Sequence, residues 1–174
     1  MSESVEKHRE SAPEKVRVAV LTISDTRSPE TDTGGDAVQE ALEEAGHEVA
    51  SRTIVRDEAS LIRTALVDAL ARADVDAVVT SGGTGISARD TTYEVVDRMV
   101  EKRIDGFGEI FRMLSYEEIG AAAIMSRAVA GAVGTKFVAS LPGSRNAVRL
   151  AMEKLLVPEI AHVVFELRKH QESR

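Results

Sequence analysis

This chain of 174 residues carries 22 lysines and arginines against 29 aspartates and glutamates, a formal net charge of −7, with 43% apolar residues and no cysteine. That length predicts one domain around a single core. The acidic balance excludes general nucleic-acid binding, which needs a basic stripe, and the lack of cysteine excludes disulfides, thiolate metal sites and thiol nucleophiles.

No apolar run approaches the ~20 residues of a bilayer-spanning helix, and no charged-then-apolar leader opens the chain. A cytoplasmic protein with no membrane partner is expected. Arginine outnumbers lysine 16 to 6. An acidic, lysine-poor composition points toward a salt-loving source, because net negative charge keeps a chain soluble. The histidines His8, His47, His162 and His170 show no metal-ligand spacing and read as surface or cap residues.

Residues 1–14 are polar and without periodicity, so they read as a disordered arm; the tail from His170 has the same character. A single domain is expected over 15–170. Val16–Ile23 (VRVAVLTI) is β-rich and predicts a first strand. The polar stretch SDTRSPETDTGGD follows as a long loop. Val38, Ala41, Leu42 and Ala45 fall at helical spacing, which predicts a helix over Asp36–Ala45 ended by Gly46. Glu48–Val55 predicts a second strand. Asp57 then precedes a helix with Leu61, Ile62, Ala65, Leu66, Ala69 and Leu70 on one face. Asp76–Thr80 predicts a short buried strand, and Tyr93, Val96, Met99 and Val100 mark the next helix. Lys136–Leu141 predicts a strand, followed by Pro142–Gly143 and a helix from about Asn146. Val157–Lys169 predicts a closing amphipathic helix.

Strand and helix alternate, so the expected fold class is α/β: a three-layer α/β/α domain with a doubly wound, mostly parallel sheet. Ligands in such sheets bind at the carboxyl ends of the strands, where strand order reverses. The unusual loops Ser24–Gly35, Arg56–Asp57, Ser81–Asp90 and Pro142–Asn146 all begin at predicted strand ends. They are expected to converge on one rim.

The loop TSGGTGISARDTT, residues 80–92, is the most informative of these. Gly82, Gly83 and Gly85 allow positive φ and close approach to the backbone. Their amides can form an anion-binding nest, and the helix N-terminus that follows also favours an anion. The same glycines would equally serve a bare strand-to-helix turn. The stretch matches neither GxxxxGK[ST] nor GxGxxG. Thr91 and Glu94 form a capping-box pattern, which leaves Asp90 over and directed toward the loop. A carboxylate beside a phosphate cradle calls for a bridging cation, ordinarily Mg²⁺. Asp57, at the end of the second predicted strand, is the other candidate carboxylate; a helix N-cap is its alternative role.

Several motifs in order resemble the MoaB/MogA family of molybdenum cofactor biosynthesis. They are VLTISDT at 20–26, DEASLI from Asp57, TSGGTGISARDTTYEVV from Thr80, GFGEIFRMLS at 106–115, IMSRAVAG at 124–131 and SLPGSRNAV at 140–148. The resemblance runs from about Val16 to Arg168 and leans toward the MoaB branch. It implies a molybdopterin adenylyltransferase that consumes molybdopterin and Mg-ATP and releases pyrophosphate. It also implies a homotrimer or homohexamer, and hand-over of the product to an enzyme that inserts molybdate or tungstate.

The family's two essential aspartates fall on Asp57 and Asp90, which would position Mg²⁺ and the ATP phosphates. Gly82, Gly83, Thr84 and Gly85 would bind nucleotide phosphates, and Ser24 and Asp25 would line the same pocket. Ser115 and Ser126 match family serines near the nucleotide and pterin. Arg127 would pair with an anionic group or make a surface ion pair. Pro142 and Gly143 would shape a rim loop or simply turn the chain. The alternative expectation is a non-catalytic oligomer of the same family that binds molybdopterin or a nucleotide. A nicotinamide-dependent oxidoreductase is disfavoured, because the loop after the first strand lacks GxGxxG.

Overall fold

A computed structural model describes residues 12–169. The tail from His170, and all but the last three residues of the expected arm, lie outside the described residues. Strand β1 (Arg17–Ile23) is buried at six of its seven positions. It pairs in parallel with β2 (Glu48–Val55) on one side and β3 (Ala77–Ser81) on the other. A strand hydrogen-bonded on both edges and packed on both faces reads as a continuous apolar run, as RVAVLTI does. Strand β6 (Lys136–Leu141) adds in parallel to β3, and β5 (Val129–Val133) and β4 (Lys102–Arg103) finish the sheet antiparallel. The strand order is β2-β1-β3-β6-β5-β4, which makes the sheet mostly parallel.

Helices cover both faces. Helices α1 (Thr33–Glu44), α4 (Asp105–Ile119), α5 (Arg145–Ala151) and α6 (Val157–Arg168) pack on one side, where Val38, Leu42, Phe111, Val148 and Ile160 meet Val18 and Val20 of β1. Helices α2 (Ala59–Ala71) and α3 (Thr92–Met99) pack on the other, where Ile62, Leu66, Val95 and Val96 meet Ala19 and Leu21. The alternation along β1 thus builds two cores, and the three-layer α/β/α fold follows from it.

Three details differ from expectation. Helix α1 starts at Thr33 rather than Asp36, because Asp32 caps it: Asp32 Oδ1 accepts the Gly35 amide at 2.9 Å. Helix α4 and strands β4 and β5 carry no element prediction. Helices α5 and α6 run together through a π turn at Met152–Leu156. Pro158 has no N–H to give the preceding turn, and a helix loosens where that bond is missing.

At the end of the sheet away from the glycine loop, Asp76 is 3% exposed. It accepts the Arg17 amide at 2.8 Å, Arg17 Nε at 3.0 Å and Arg168 at 2.7 Å. Burial opposes its charge, but the two arginines win and hold it down at about 2. This pins the last turn of α6 to the sheet. His47 Nδ1 accepts the Val16 amide at 3.3 Å and His162 pairs with Glu159 at 3.0 Å, so both serve packing.

Candidate functional site

The chain leaves β1 toward β2 on one side and returns to β3 on the other, so β1 and β3 form the switch point of the sheet. Their carboxyl ends carry the expected loops, and these do meet. The Ser24 amide donates to Val55 O at 2.8 Å and the Gly82 amide to Leu141 O at 3.0 Å. The Asp57 amide donates to Asp25 Oδ1 at 3.3 Å, and Arg89 reaches Asp25 Oδ2 at 2.5 Å. Asp25 therefore ties the loop after β1 to both of the others.

Two glycines in the turn are obligatory. Gly82 has φ +100° and a Cβ there would stand 2.2 Å from the Ile23 carbonyl oxygen. Gly83 has φ +62°, and a Cβ would meet Thr92 Oγ1 at 2.1 Å and the Asp57 carboxylate at 2.9 and 3.0 Å. L-residues rarely adopt such φ values, and here the neighbours leave no room either.

Asp57 and Asp90 flank this turn. Asp57 lies against Gly83, and its Oδ1 is buried with no hydrogen-bond partner among the described residues. Burial pushes the Asp57 carboxyl up from its ordinary value; the charges of Asp90 and Asp25 add to this, while the Thr91 amide and Arg89 pull the other way. Asp90 lies against Gly85, with Oδ2 at 2.6 Å from the place of a Cβ. Its Oδ2 accepts the Ser87 amide at 3.0 Å and the Ser87 hydroxyl at 2.5 Å. Asp90 thus faces the loop, as expected. Asp57 does not cap α2: the cap position is Glu58, which makes no side-chain capping bond.

The expected capping box of α3 does not form. Thr91 makes no capping bond, its Oγ1 has no partner among the described residues, and Glu94 bonds Arg127 instead. A charge-assisted bond to a guanidinium outweighs one to a backbone amide. Burial opposes ionisation of Glu94, but Arg127 keeps its carboxyl below the ordinary range. Arg127 also donates to Gly85 O at 3.1 Å and stacks its guanidinium 4.3 Å from the Tyr93 ring centroid. Arg127 makes an ion pair with Glu94 and, with its bond to Gly85 O, clamps the loop.

The remaining expected residues divide. Ser24, Gly82 and Gly143 line one small cavity beside the turn, and Thr84 is buried in the loop. Pro142 precedes Gly143, whose Cβ would stand 3.0 Å from Gly82 Cα, so this turn does meet the glycine loop. Ser126 immediately precedes Arg127. Ser115 is buried in α4 and gives its hydroxyl to Phe111 O at 2.7 Å, with no hydrogen bond to the rim.

Residues 19–162 match the family described as "Probable molybdopterin binding domain". Molybdenum cofactor biosynthesis protein B of Bacillus cereus is 51% identical over 167 residues, covering 95% of this chain and 99% of that protein. The chain belongs to the MoaB/MogA family. The protein of the same name from Bacillus subtilis, also 51% identical, spans 95% of this chain and 98% of its own.

A crystal structure of molybdenum cofactor biosynthesis protein B superposes with a TM-score of 0.88 at 52% identity, covering 91% of this chain and 99% of that one. The tungsten cofactor synthesizing protein MoaB from Pyrococcus furiosus superposes at 0.80 and 36% identity, covering 90% and 99%. Within this MoaB/MogA frame, three features of the rim escaped the sequence reading. They are the Arg127 clamp, the Asp25–Arg89 tie and the buried Ser81 hydroxyl. Each joins residues distant in sequence or ends an apolar strand, and neither leaves a local pattern.

Proposed function

We propose that this MoaB/MogA family member adenylylates molybdopterin with Mg-ATP. The terminal phosphate of molybdopterin attacks the α-phosphorus of ATP, an oxygen–phosphorus bond forms, the α–β bridge breaks and pyrophosphate leaves. The observation that carries this reading is the pair of carboxylates flanking a glycine turn, one of them with a buried oxygen that has no hydrogen-bond partner among the described residues. A partly desolvated carboxylate beside a second one is a recognised mark of a functional site. Family membership supports the pathway; the two aspartates support the reaction.

The donor set suits Mg²⁺. It is oxygen-only, and one or two carboxylates with water and substrate phosphates are what this ion ordinarily takes. Asp57 and Asp90 would hold it, and when bound it neutralises charge on the ATP phosphates.

The chain's own groups do the rest. Amides of Gly83, Thr84 and Gly85 with the N-terminus of α3 orient the nucleotide phosphates. The Arg127 clamp keeps Gly85 in register, and Ser24, Asp25, Ser126, Pro142 and Gly143 line the acceptor side. Ser115, whose hydroxyl is spent on Phe111 O inside α4, takes no part in this assignment.

The protein is further proposed to form a homotrimer or homohexamer. Ile110, Met113, Tyr116 and Ile119 of α4 and Ile124 and Met125 after it are large apolar side chains left exposed close together in sequence, and exposed apolar residues that gather into a patch ordinarily mark an interface. Light scattering of Ile110→Glu and Met113→Glu variants tests this, with a smaller assembly expected. The proposed setting is the cytoplasm, with the product passed to a metal-insertion enzyme. No described helix is long and apolar enough to cross a membrane.

The deciding experiment mixes the protein with molybdopterin, ATP and Mg²⁺ and looks for adenylyl-molybdopterin and pyrophosphate. Product from wild type and none from Asp57→Ala or Asp90→Ala is expected. Bound ligands without product would make the chain a binding relative instead.

A further inference from the structure

Strands β1, β3 and β6 begin side by side, with Val18 opposite Ala77 and Ala77 opposite Phe137. Arg17 and Lys136, the first residues of β1 and β6, therefore flank Asp76, and Arg168 closes α6 over the same point. This is the end of the sheet away from the glycine turn.

Asp76 is fully used. Its Oδ2 accepts the Arg17 amide at 2.8 Å and Arg17 Nε at 3.0 Å, and its Oδ1 accepts Nη2 of Arg17 at 2.8 Å and of Arg168 at 2.7 Å. A carboxylate offers about four acceptor positions, so this one has none left. The nearby Asp74 is spent on Arg72, which it holds at 2.7 and 3.0 Å. Lys136 Nζ turns instead to the Arg72 carbonyl, and Arg17 Nη2 takes the next carbonyl, Ala73 O, at 3.2 Å. Adjacent carbonyls thus bring the ammonium close to the guanidinium.

Three cations here share one negative charge. Arg17 and Arg168 both pair with Asp76, and Lys136 pairs with no carboxylate among the described residues. Donors are left over too. Nη1 of Arg17, Nε and Nη1 of Arg168 and two protons of Lys136 have no partner among the described residues. In a chain of net charge −7 this is a local positive surplus. Lys136 registers it: burial and the charges of Arg168 and Arg17 lower its pKa, against the pull of Asp76 and Asp74. Asp76 itself does not repel an incoming anion, because it lies buried behind the arginines that neutralise it.

We propose that Arg17, Lys136 and Arg168 form a binding site for a doubly charged tetrahedral oxyanion, sulfate- or phosphate-like. Two guanidinium forks and an ammonium present charge-assisted donors from three elements, which suits an anion with several acceptor oxygens. The anion supplies the charge and the acceptors that Asp76 has exhausted, and it ties β1, β6 and the end of α6 together. The site is independent of the adenylyl-transfer reading.

Sulfate is the probe, titrated into the full-length protein at constant ionic strength and followed through backbone amide resonances. Saturable shifts at Arg17, Asp76, Ala77 and Phe137 are expected. Lys136→Gln is expected to weaken binding by about tenfold. Glutamine keeps a donor for Arg72 O and removes a charge that its surroundings disfavour, so this variant should melt at or above wild type without sulfate. Sulfate should then raise the melting temperature of wild type more than that of the variant. Lys154→Gln makes the same charge change at an exposed position on the π turn and should bind sulfate as wild type does.

Wild-type affinity in Lys136→Gln would overturn the proposal, as would shifts confined to residues 83–92. Shifts that chloride reproduces at the same ionic strength would reduce the effect to screening of exposed charge and overturn it equally. Ribose 5-phosphate in place of sulfate separates the sources. Affinity kept or raised assigns the site to a phosphorylated metabolite, and affinity lost assigns it to a free inorganic anion.

Discussion

The backbone of Gly83 presses on Asp57: a Cβ at Gly83 would stand 2.9 and 3.0 Å from the two carboxylate oxygens. The glycine lets the turn close over a half-buried side chain, one of whose carboxylate oxygens is buried. Gly83→Ala must therefore either move Asp57 and Thr92 or abandon φ +62°. A loss of about 2 kcal/mol or more in stability is expected, read by urea unfolding, with loss of adenylyl transfer. A variant as stable as wild type would mean that the turn is loose.

Asp57→Asn should separate stability from function. Burial raises the Asp57 pKa above its unfolded value. The folded state then binds the extra proton between the two values, so stability falls as pH rises through that window and the cost persists above it. Asparagine removes the charge and keeps an acceptor for the Thr91 amide. At pH 7 the variant is expected to melt at or above wild type while losing turnover, the usual trade at a functional site. The stability gap should close as pH falls below the ordinary carboxylate range. A variant that melts well below wild type at pH 7 would assign Asp57 a structural role.

Much of this architecture was legible in the sequence, because strands with strong punctuation announce themselves. Glu48–Val55 lies between Gly46 and the polar Arg56–Asp57, Lys136–Leu141 lies between Gly134 and Pro142, and both formed as read. Strand β5, Val-Ala-Gly-Ala-Val, has at its centre Ala-Gly-Ala, small residues with weak β preference, and β4 has only two residues, so neither stood out. The start of α1 was hidden by Gly34 and Gly35, poor helix formers that the Asp32 cap brings into the helix.

Asp57 and Asp90 could be picked out by motif resemblance and by the logic of a carboxylate beside a glycine turn. The capping box failed because its glutamate was claimed by Arg127, 33 residues further along. A local rule weighs only local partners. Ser81 gave no signal because it closes an apolar strand, where a serine reads as an ordinary boundary residue.

Arg127 predicts a dynamic effect. It holds Gly85 O and Glu94 while stacking on Tyr93, so it links the start of β5 to the loop. Lysine keeps the charge but loses the planar fork and much of the stacking. In Arg127→Lys, hydrogen exchange at the amides of Ser87 and Asp90, which bond within the loop, should speed up by about tenfold. A rise in KM for ATP larger than the fall in kcat should accompany it. Unchanged exchange would show that the loop holds its shape without the clamp.

Asp76 sets the acid limit of the fold. Its carboxyl is held at about 2 against an unfolded value near 3.8, so its contribution is complete above pH 4 and is lost as pH falls toward 2. Its partners Arg17 and Arg168 are 36% and 37% exposed at their side chains. Solvent therefore softens the cost of stranding them, and Asp76→Asn is expected to lose about 1–3 kcal/mol at pH 7. Asparagine can still accept the Arg17 amide, so the loss reports mainly on charge. Urea unfolding of wild type and variant across pH 2–7 checks the sign, because the two curves should converge as the wild-type carboxylate takes its proton. A gap that stays constant to pH 2 would mean that packing, not the ionised pair, anchors α6 to the sheet.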